Sequence, residues 1–230
     1  MKFKTYLVGG AVRDQEMGLT SKDLDFVVMA PSFDAMREDL LADGCEIFVE
    51  KPEYLTIRAK HPRLGCVDFA CARHDGNYTD GRRPDNTEVA KTIDEDLARR
   101  DFTCNAIAVD VVSGEVVDPF DGRWAIRRGV LRCVNSARAR FGEDSLRVFR
   151  AVRFAVTKHF VIDGEIWEAI NAMTPNMFDG VATERIREEL LKAFQKDAKR
   201  TFELLMHDFP LLWEIASNRG IWLKPTTEKL

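Results

Sequence analysis

The side chains in the first thirty positions best suited to chemistry are Asp23 and Asp25, within Asp23-Leu24-Asp25-Phe26-Val27-Val28. With them comes the pair Gly9-Gly10 in the run Leu7 to Asp14. Phe26 to Val28 reads as a buried strand. Side chains alternate faces along a strand, so Asp23 and Asp25 point the same way, about 7 Å apart by strand rise. Two carboxylates so placed can hold divalent metal ions. Gly9-Gly10 follows the apolar run Tyr6 to Val8 and opens a short helix, Ala11 to Met17, stopped by Gly18. Free N–H groups and the positive dipole end of such a helix suit a triphosphate. Metal-binding carboxylates beside a phosphate cradle are the parts of nucleotidyl transfer. The same stretch fits a plain strand-loop-helix unit with two solvated turn aspartates, and taken alone it leaves both readings open.

These residues need a scaffold, and the pattern supplies one. Ser32 caps a predicted helix from Phe33 to Asp43, with Phe33, Met36, Leu40 and Leu41 as its apolar stripe and Gly44 at its end. Three strands follow at Glu46–Val49, Leu55–Arg58 and Cys66–Ala70. Asp68 is a charge inside the last of them. It belongs either to a solvated strand end or to a site beside other carboxylates, as a third metal ligand or general base. His74 to Asn86 is a long polar connection without apolar periodicity, of the kind that is mobile or functional. In Leu97 to Ala108, the adjacent Arg99 and Arg100 give permanently charged forks suited to phosphate oxygens, and Asp101 and Asn105 are candidates for ribose hydroxyls. Gly114 and Asp118-Pro119-Phe120-Asp121-Gly122 mark turns.

From Gly142 the pattern turns helical. Glu143 to Lys158 predicts one helix with Leu146, Phe149, Val152 and Val156 on its apolar face and Asp144, Arg147 and Arg150 sharing another. Thr183 is expected to cap Glu184 to Phe194, and Lys199 to Met206 reads as a further helix. The tail from Asn218 lacks periodicity and is expected to fray.

Composition narrows the class. The 230 residues carry a net charge of −4, with 45% hydrophobic and 31% charged residues, ordinary for a soluble globular chain. No stretch approaches the ~20 apolar residues of a membrane span, and Met1 to Lys4 has no signal-like character. The five cysteines, Cys45, Cys66, Cys71, Cys104 and Cys133, are scattered without a CxxC, which suits free thiols in a reducing cytoplasm rather than structural zinc. Between Arg123 and Lys158 the cations outnumber the acids, pointing to a confined anion site in an otherwise acidic protein.

Taken in order, LVGGAVRD (Leu7–Asp14), DLD (Asp23–Asp25), RRDFTCNA (Arg99–Ala106), DPFDG (Asp118–Gly122), EDSLRVFRAVRFA (Glu143–Ala155) and ERIREEL (Glu184–Leu190) resemble the class II tRNA nucleotidyltransferase and bacterial poly(A) polymerase family. The resemblance implies an α+β fold, with a polymerase-beta-like mixed-sheet head over about residues 1–137, a helical neck over 138–195 and a truncated helical body over 196–230. It implies that Asp23 and Asp25 hold Mg²⁺ ions, with Asp68 where relatives carry an acid. The phosphates would fall to Gly9, Gly10, Arg13, Arg99 and Arg100. It also implies that Asp144 and Arg147 read the incoming base, with Arg150 in support. Cytosine and adenine each present an amino donor beside a ring-nitrogen acceptor, which a carboxylate and a guanidinium match; uracil and guanine present the reverse. Such a pair is worth about 1–3 kcal/mol against a wrong base.

The expected partners are ATP, CTP and the 3′ end of tRNA or another RNA. The expected activity is template-independent addition of C and A in the cytoplasm. Poly(A) addition, CC-only or A-only addition, and a non-catalytic nucleotide- or RNA-binding module share the same motifs. Two departures stand out. Relatives usually carry Phe-Gly-Thr where this chain has Tyr54-Leu55-Thr56, and they continue into a longer helical body. With only a stub of that body, acceptor recognition is expected to be weaker, limited to the 3′ end, or supplied by a homo-oligomer or a protein partner.

Overall fold

The computed structural model describes residues 1–21, 23–76 and 87–221. Most of the polar connection after His74, with Lys22 and the end of the tail, lies outside the described residues. Backbone contacts divide the chain at Asn135–Ser136 into two units.

The first unit runs β1 (Thr5–Val8), α1 (Gly10–Glu16), β2 (Asp25–Val28), α2 (Phe33–Ala42), β3 (Glu46–Lys51), β4 (Thr56–His61), β5 (Gly65–Cys71), β6 (Arg73–Asp75), β7 (Thr87–Val89), α3 (Ile93–Ala98), β8 (Ala108–Asp110), β9 (Val116–Val117) and α4 (Gly122–Arg128). Its main sheet has the order β3-β4-β5-β2-β1-β8-β9. β2 and β5 pair in parallel, whereas β1 with β2, β1 with β8, β3 with β4 and β4 with β5 pair antiparallel. The sheet is therefore mixed, as expected.

Strand alternation decides which face each residue serves. Phe26, Val28, Ile57, Ala59, Val67, Phe69 and Cys71 point to one face, where Met36 and Leu40 of α2 cover them. Tyr6, Val8 and Val27 point to the other face, under Ile93 and Leu97 of α3 and under Ala106. Asp25, two residues before Val27, lies on this second face. The cover there reaches the inner strands only. On β4 and β5, Arg58, Lys60 and Cys66 are exposed, and Thr56, Asp68 and Ala70 half-buried.

The second unit is helical: α5 (Ala137–Glu143), α6 (Leu146–Thr157), α7 (Gly164–Asn171), α8 (Thr183–Lys196), α9 (Ala198–Glu203) and α10 (Pro210–Asn218). α6 buries Leu146, Val148, Phe149, Ala151, Val152, Phe154, Ala155 and Val156, and packs against α8.

Several local expectations change. The helix expected from Glu143 to Lys158 breaks at Asp144, whose extended backbone (φ −148°, ψ 103°) ends α5, and α6 starts at Leu146. Asp144 therefore does not share a helical face with Arg147 and Arg150. Ser and Asp side chains compete for backbone groups at helix ends, and Asp144 Oδ1 accepts from Leu146 N at 3.0 Å. Thr183 is the first helical residue rather than the cap; Ala182 occupies the cap position without a side-chain bond. Asp118 to Gly122 is a turn that continues into α4, with Asp118 accepting from Gly122 N and Arg123 N at 2.7 and 2.9 Å. The helix predicted from Lys199 to Met206 is α9 followed by a π turn over Leu204–Asp208. Ser32 caps α2 as expected, accepting from Ala35 N at 3.1 Å. The five cysteines are free, and burial pushes the Cys71 thiol up to about 12.

Candidate active site

Asp25 opens β2, between two strands that bring partners to it. β1 ends at Val8 opposite Asp25, and β5 places Asp68 in register with Asp25. Pairing in register puts both carboxylates on the same face. Asp23 precedes the strand, so strand alternation does not orient it; its charge nevertheless acts on Asp25. Protein packed around the Asp25 carboxyl, followed by the negative charge of Asp68, pushes it above the ordinary carboxylate value. Arg100 opposes that shift, Asp23 adds to it, and Arg58 opposes it.

On the β1 side, Gly9 turns the chain with φ 69° and caps α1. A Cβ at Gly9 would lie 3.2 Å from Arg100 Nη1 and 3.9 Å from Asp25 Oδ2, so glycine keeps the space beside that carboxylate open. A Cβ at Gly10 would lie 3.5 Å from Arg13 Nη2. Arg13 donates to Asn105 Oδ1 at 2.6 Å and to Asp14 Oδ1 at 2.9 Å. Asn105 in turn donates to Asp101 Oδ1 at 3.0 Å, which also accepts from Phe102 N at 2.7 Å. Asp101, Asn105 and Arg13 are buried and bonded to one another in a relay that fixes Arg13 beside the glycine turn.

Arg99 and Arg100 are held by a residue that motif reading did not single out. Asp96, on α3, is fully buried. Its Oδ1 accepts from Arg99 Nε and Nη2 at 3.1 and 2.7 Å and from Arg73 N at 3.2 Å. Its Oδ2 accepts from Arg100 Nε and Nη2 at 3.3 and 2.9 Å. Burial by itself would push the Asp96 carboxyl up; the Arg100 and Arg99 guanidiniums overcome it and hold the group below the ordinary range. The readable signal was the spacing, since an acid three and four residues before two arginines meets both on a helix.

Among the described residues, no group of three or more His, Cys, Asp or Glu is drawn together as a ready-made metal cage. The donors nevertheless fit a hard cation that takes one or two carboxylates and completes its shell with water and phosphate oxygens, as Mg²⁺ does. The crowding of like charge on Asp25 is relieved by a cation, and Gly9 leaves room beside its carboxylate for a phosphate.

In the second unit, Asp144 Oδ2 accepts from Arg185 Nη2 at 3.1 Å, from α8. Arg147 donates to Glu143 Oε2 at 2.6 Å and to Arg140 O at 3.0 Å, and Arg140 pairs with the other oxygen of Glu143. Arg150 lies 3.6 Å from Glu189, which Arg153 also engages. Asp144 and Arg147 are thus held by separate partners, Arg185 and Glu143. Arg185 and Glu189 are spaced i, i+4 on α8, and each ties that helix to the α5–α6 segment. The basic run from Arg123 to Lys158 is not one anion surface. Acids from elsewhere in the chain reach into it, Glu16 to Arg123 at 3.0 Å and Glu189 to Arg150 and Arg153.

Comparison with known proteins identifies the family and the fold. Residues 5–132 match the family described as "Poly A polymerase head domain", and residues 159–211 match "Probable RNA and SrmB- binding site of polymerase A". The CCA-adding enzyme of Leuconostoc mesenteroides is 35% identical over 207 residues, covering 90% of this chain and 50% of that protein. That of Geobacillus stearothermophilus is 37% identical over 196 residues, covering 83% and 45%. The crystal structure of the Bacillus stearothermophilus CCA-adding enzyme in complex with CTP superimposes with a TM-score of 0.76 at 33% identity, over 89% of this chain and 48% of that one. A tRNA nucleotidyltransferase complexed with a primer tRNA and an incoming ATP analog gives 0.72 at 30% identity, over 93% and 59%. The chain spans about half the length of these relatives.

Proposed function

The chain belongs to the poly(A) polymerase head-domain family, and on that premise we propose that it transfers C and A residues from CTP and ATP to the 3′ end of tRNA without a template. The observation that carries this reading is the row Val8, Asp25, Asp68 across β1, β2 and β5, with the Gly9 turn following Val8 and Arg100 beside it. Asp23 and Asp25 would hold Mg²⁺, which when bound lowers the pKa of the attacking hydroxyl and offsets charge on the phosphates.

The chain's own residues do the rest. Arg100, locked by Asp96, and Arg13, locked by Asn105, present fixed positive charge where pyrophosphate charge develops, so no reorganisation is needed during transfer. The RNA 3′ oxygen forms its bond to the α-phosphorus as the bond to the pyrophosphate oxygen breaks, and Asp68 takes the hydroxyl proton on Oδ2. Base choice is assigned to Asp144 and Arg147, held by Arg185 and Glu143.

Incubation with Mg²⁺, labelled CTP or ATP and tRNA lacking its 3′ end tests the activity. Extension by C and A with little UTP or GTP use is expected. A wild-type protein that incorporates nothing would count against the reading.

A further inference from the structure

One part of the sheet is left unexplained by nucleotide binding. The second face is covered over β1 and β2 by α3 and its neighbours, but over β3, β4 and β5 it is open. Register places Val49, Arg58, Asp68 and Asp25 in one row from the sheet edge inward, and Lys51 and Thr56 with Ala70 in the next. These residues border a groove of about 370 Å³ lined by Val49, Lys51, Thr56, Arg58 and Asp68. Its cations are loosely engaged. Arg58 Nε lies 3.3 Å from Asp68 Oδ1 with both side chains about half exposed, at 57% and 47%. Lys51 forms no ion pair among the described residues. Lys60, one step further along, faces Glu46 across the strand pair, and Glu50 points to the opposite face, where Arg37 binds it at 2.9 Å. The small side chains of Cys66 and Ala70 leave the floor of this face low.

The order of charges across the sheet has a chemical meaning. Arg100 lies on the β1 side of Asp25, and Arg58 lies on the far side, beyond Asp68. An in-line displacement requires the attacking strand and the leaving pyrophosphate to approach the phosphorus from opposite directions. If Arg100 serves the leaving side, the cations on the other side face the attacking strand. We infer that Lys51, Thr56 and Arg58 form a shelf that binds backbone phosphates of the RNA whose 3′ end is extended. Arg58 doubles as the counter-ion that orients Asp68. The shelf rests on the proposed reading for its substrate, but its two cations, Lys51 and Arg58, lie outside the motifs that carry the family resemblance. Phosphate in this groove could also come from the incoming nucleotide, and the test separates the two sources.

The experiment compares wild type with the double variant Lys51→Ala/Arg58→Ala and with Lys51→Arg/Arg58→Lys. One arm measures anisotropy of a labelled single-stranded RNA over a range of salt, without nucleotide. The other measures KM for tRNA and for CTP. Each phosphate contact on a single strand contributes about 0.7 to the log–log salt slope, so removing both cations should flatten it by about 1.4. The KM for tRNA should rise about tenfold or more with the KM for CTP unchanged, and the charge-conserving variant should restore both. Both residues are exposed, and a circular dichroism melt checks the fold. A rise in the KM for CTP alone would assign the groove to the triphosphate and overturn the inference, as would an unchanged slope and KM. The binding arm needs no turnover. A wild-type slope lost in the alanine variant supports the shelf even if no transfer occurs, whereas normal transfer with an unaltered slope removes the shelf and leaves the proposed activity standing.

Discussion

Replacing Asp96 by Asn isolates the group that positions Arg99 and Arg100. The change is nearly isosteric, so packing under α3 is kept while the charge is removed. Both carboxylate oxygens are in use, Oδ1 by Arg99 and Arg73 N and Oδ2 by Arg100. Whichever way the amide is turned, its NH₂ group must face a guanidinium that can only donate. Asp96 is fully buried and its arginine partners largely so, and breaking one side of a buried ion pair costs about 3–5 kcal/mol, because the remaining charge is left without compensation. With a urea m-value of about 2 kcal/mol/M, the midpoint should fall by roughly 2 M. The pH dependence has a definite sign. Asp96 has its folded pKa depressed, so its contribution is complete above the unfolded value of about 3.9 and is lost as pH falls through the folded value. The gap between wild type and variant should be constant from neutral pH to about 5 and close below about 4. The Kd for CTP should also rise, since Arg100 is no longer fixed beside Gly9. A loss under about 1 kcal/mol, the size of a surface pair, would refute the reasoning.

Asp25→Asn should raise the melting temperature in metal-free buffer, because the wild-type carboxylate is held above its ordinary pKa by crowding and by Asp68. That gain should fade as pH is lowered through the raised value, where the wild-type group takes up its proton, and a lower melting temperature at neutral pH would contradict it. Gly122→Ala places a Cβ 2.2 Å from Thr103 O and 2.8 Å from Ile107, so a loss of about 3 kcal/mol in urea unfolding is expected, and a neutral effect would show that α4 can move away. Arg147→Ala should narrow the preference for CTP and ATP over UTP and GTP by about ten- to hundredfold, from the 1–3 kcal/mol of a bidentate base contact. An unaltered ratio of kcat/KM values would remove the residue from base choice.

Much of the fold was legible because period-2 and period-3.6 patterns are local. The β2 strand, the Ser32-capped α2 and the strand expected at Leu55–Arg58, which is β4, needed no knowledge of the rest of the chain. The breaks were less legible. Asp144 ends α5 through its own bond to Leu146 N, and an apolar stripe that continues past it conceals the interruption. α4 was hidden because Gly122, Arg127 and Arg128 look like turn and surface; its start depends on Asp118 and on the close approach of Gly122 to Thr103. The site divided in the same way. Asp23, Asp25, the glycine turn and the paired arginines announce themselves by residue type. Asp96, Arg185 and Glu189 act through other residues. The Asp96 role is local and lay in its spacing to Arg99 and Arg100, whereas those of Arg185 and Glu189 appear only when distant segments are brought together. Leu55 is a further case. It occupies the left-handed region at φ 55°, so the turn before β4 is kept in this chain without glycine, the residue that this conformation favours.

The most direct test of the carboxylate site is a single-turnover measurement on Asp25→Asn with saturating Mg²⁺, CTP and tRNA lacking its 3′ end. Loss of the several kcal/mol that metal-assisted charge stabilisation supplies corresponds to a transfer rate lower by about a thousandfold. The Kd for tRNA should stay within a few-fold of wild type. A variant that transfers CMP at the wild-type rate would show that Asp25 does not serve the reaction.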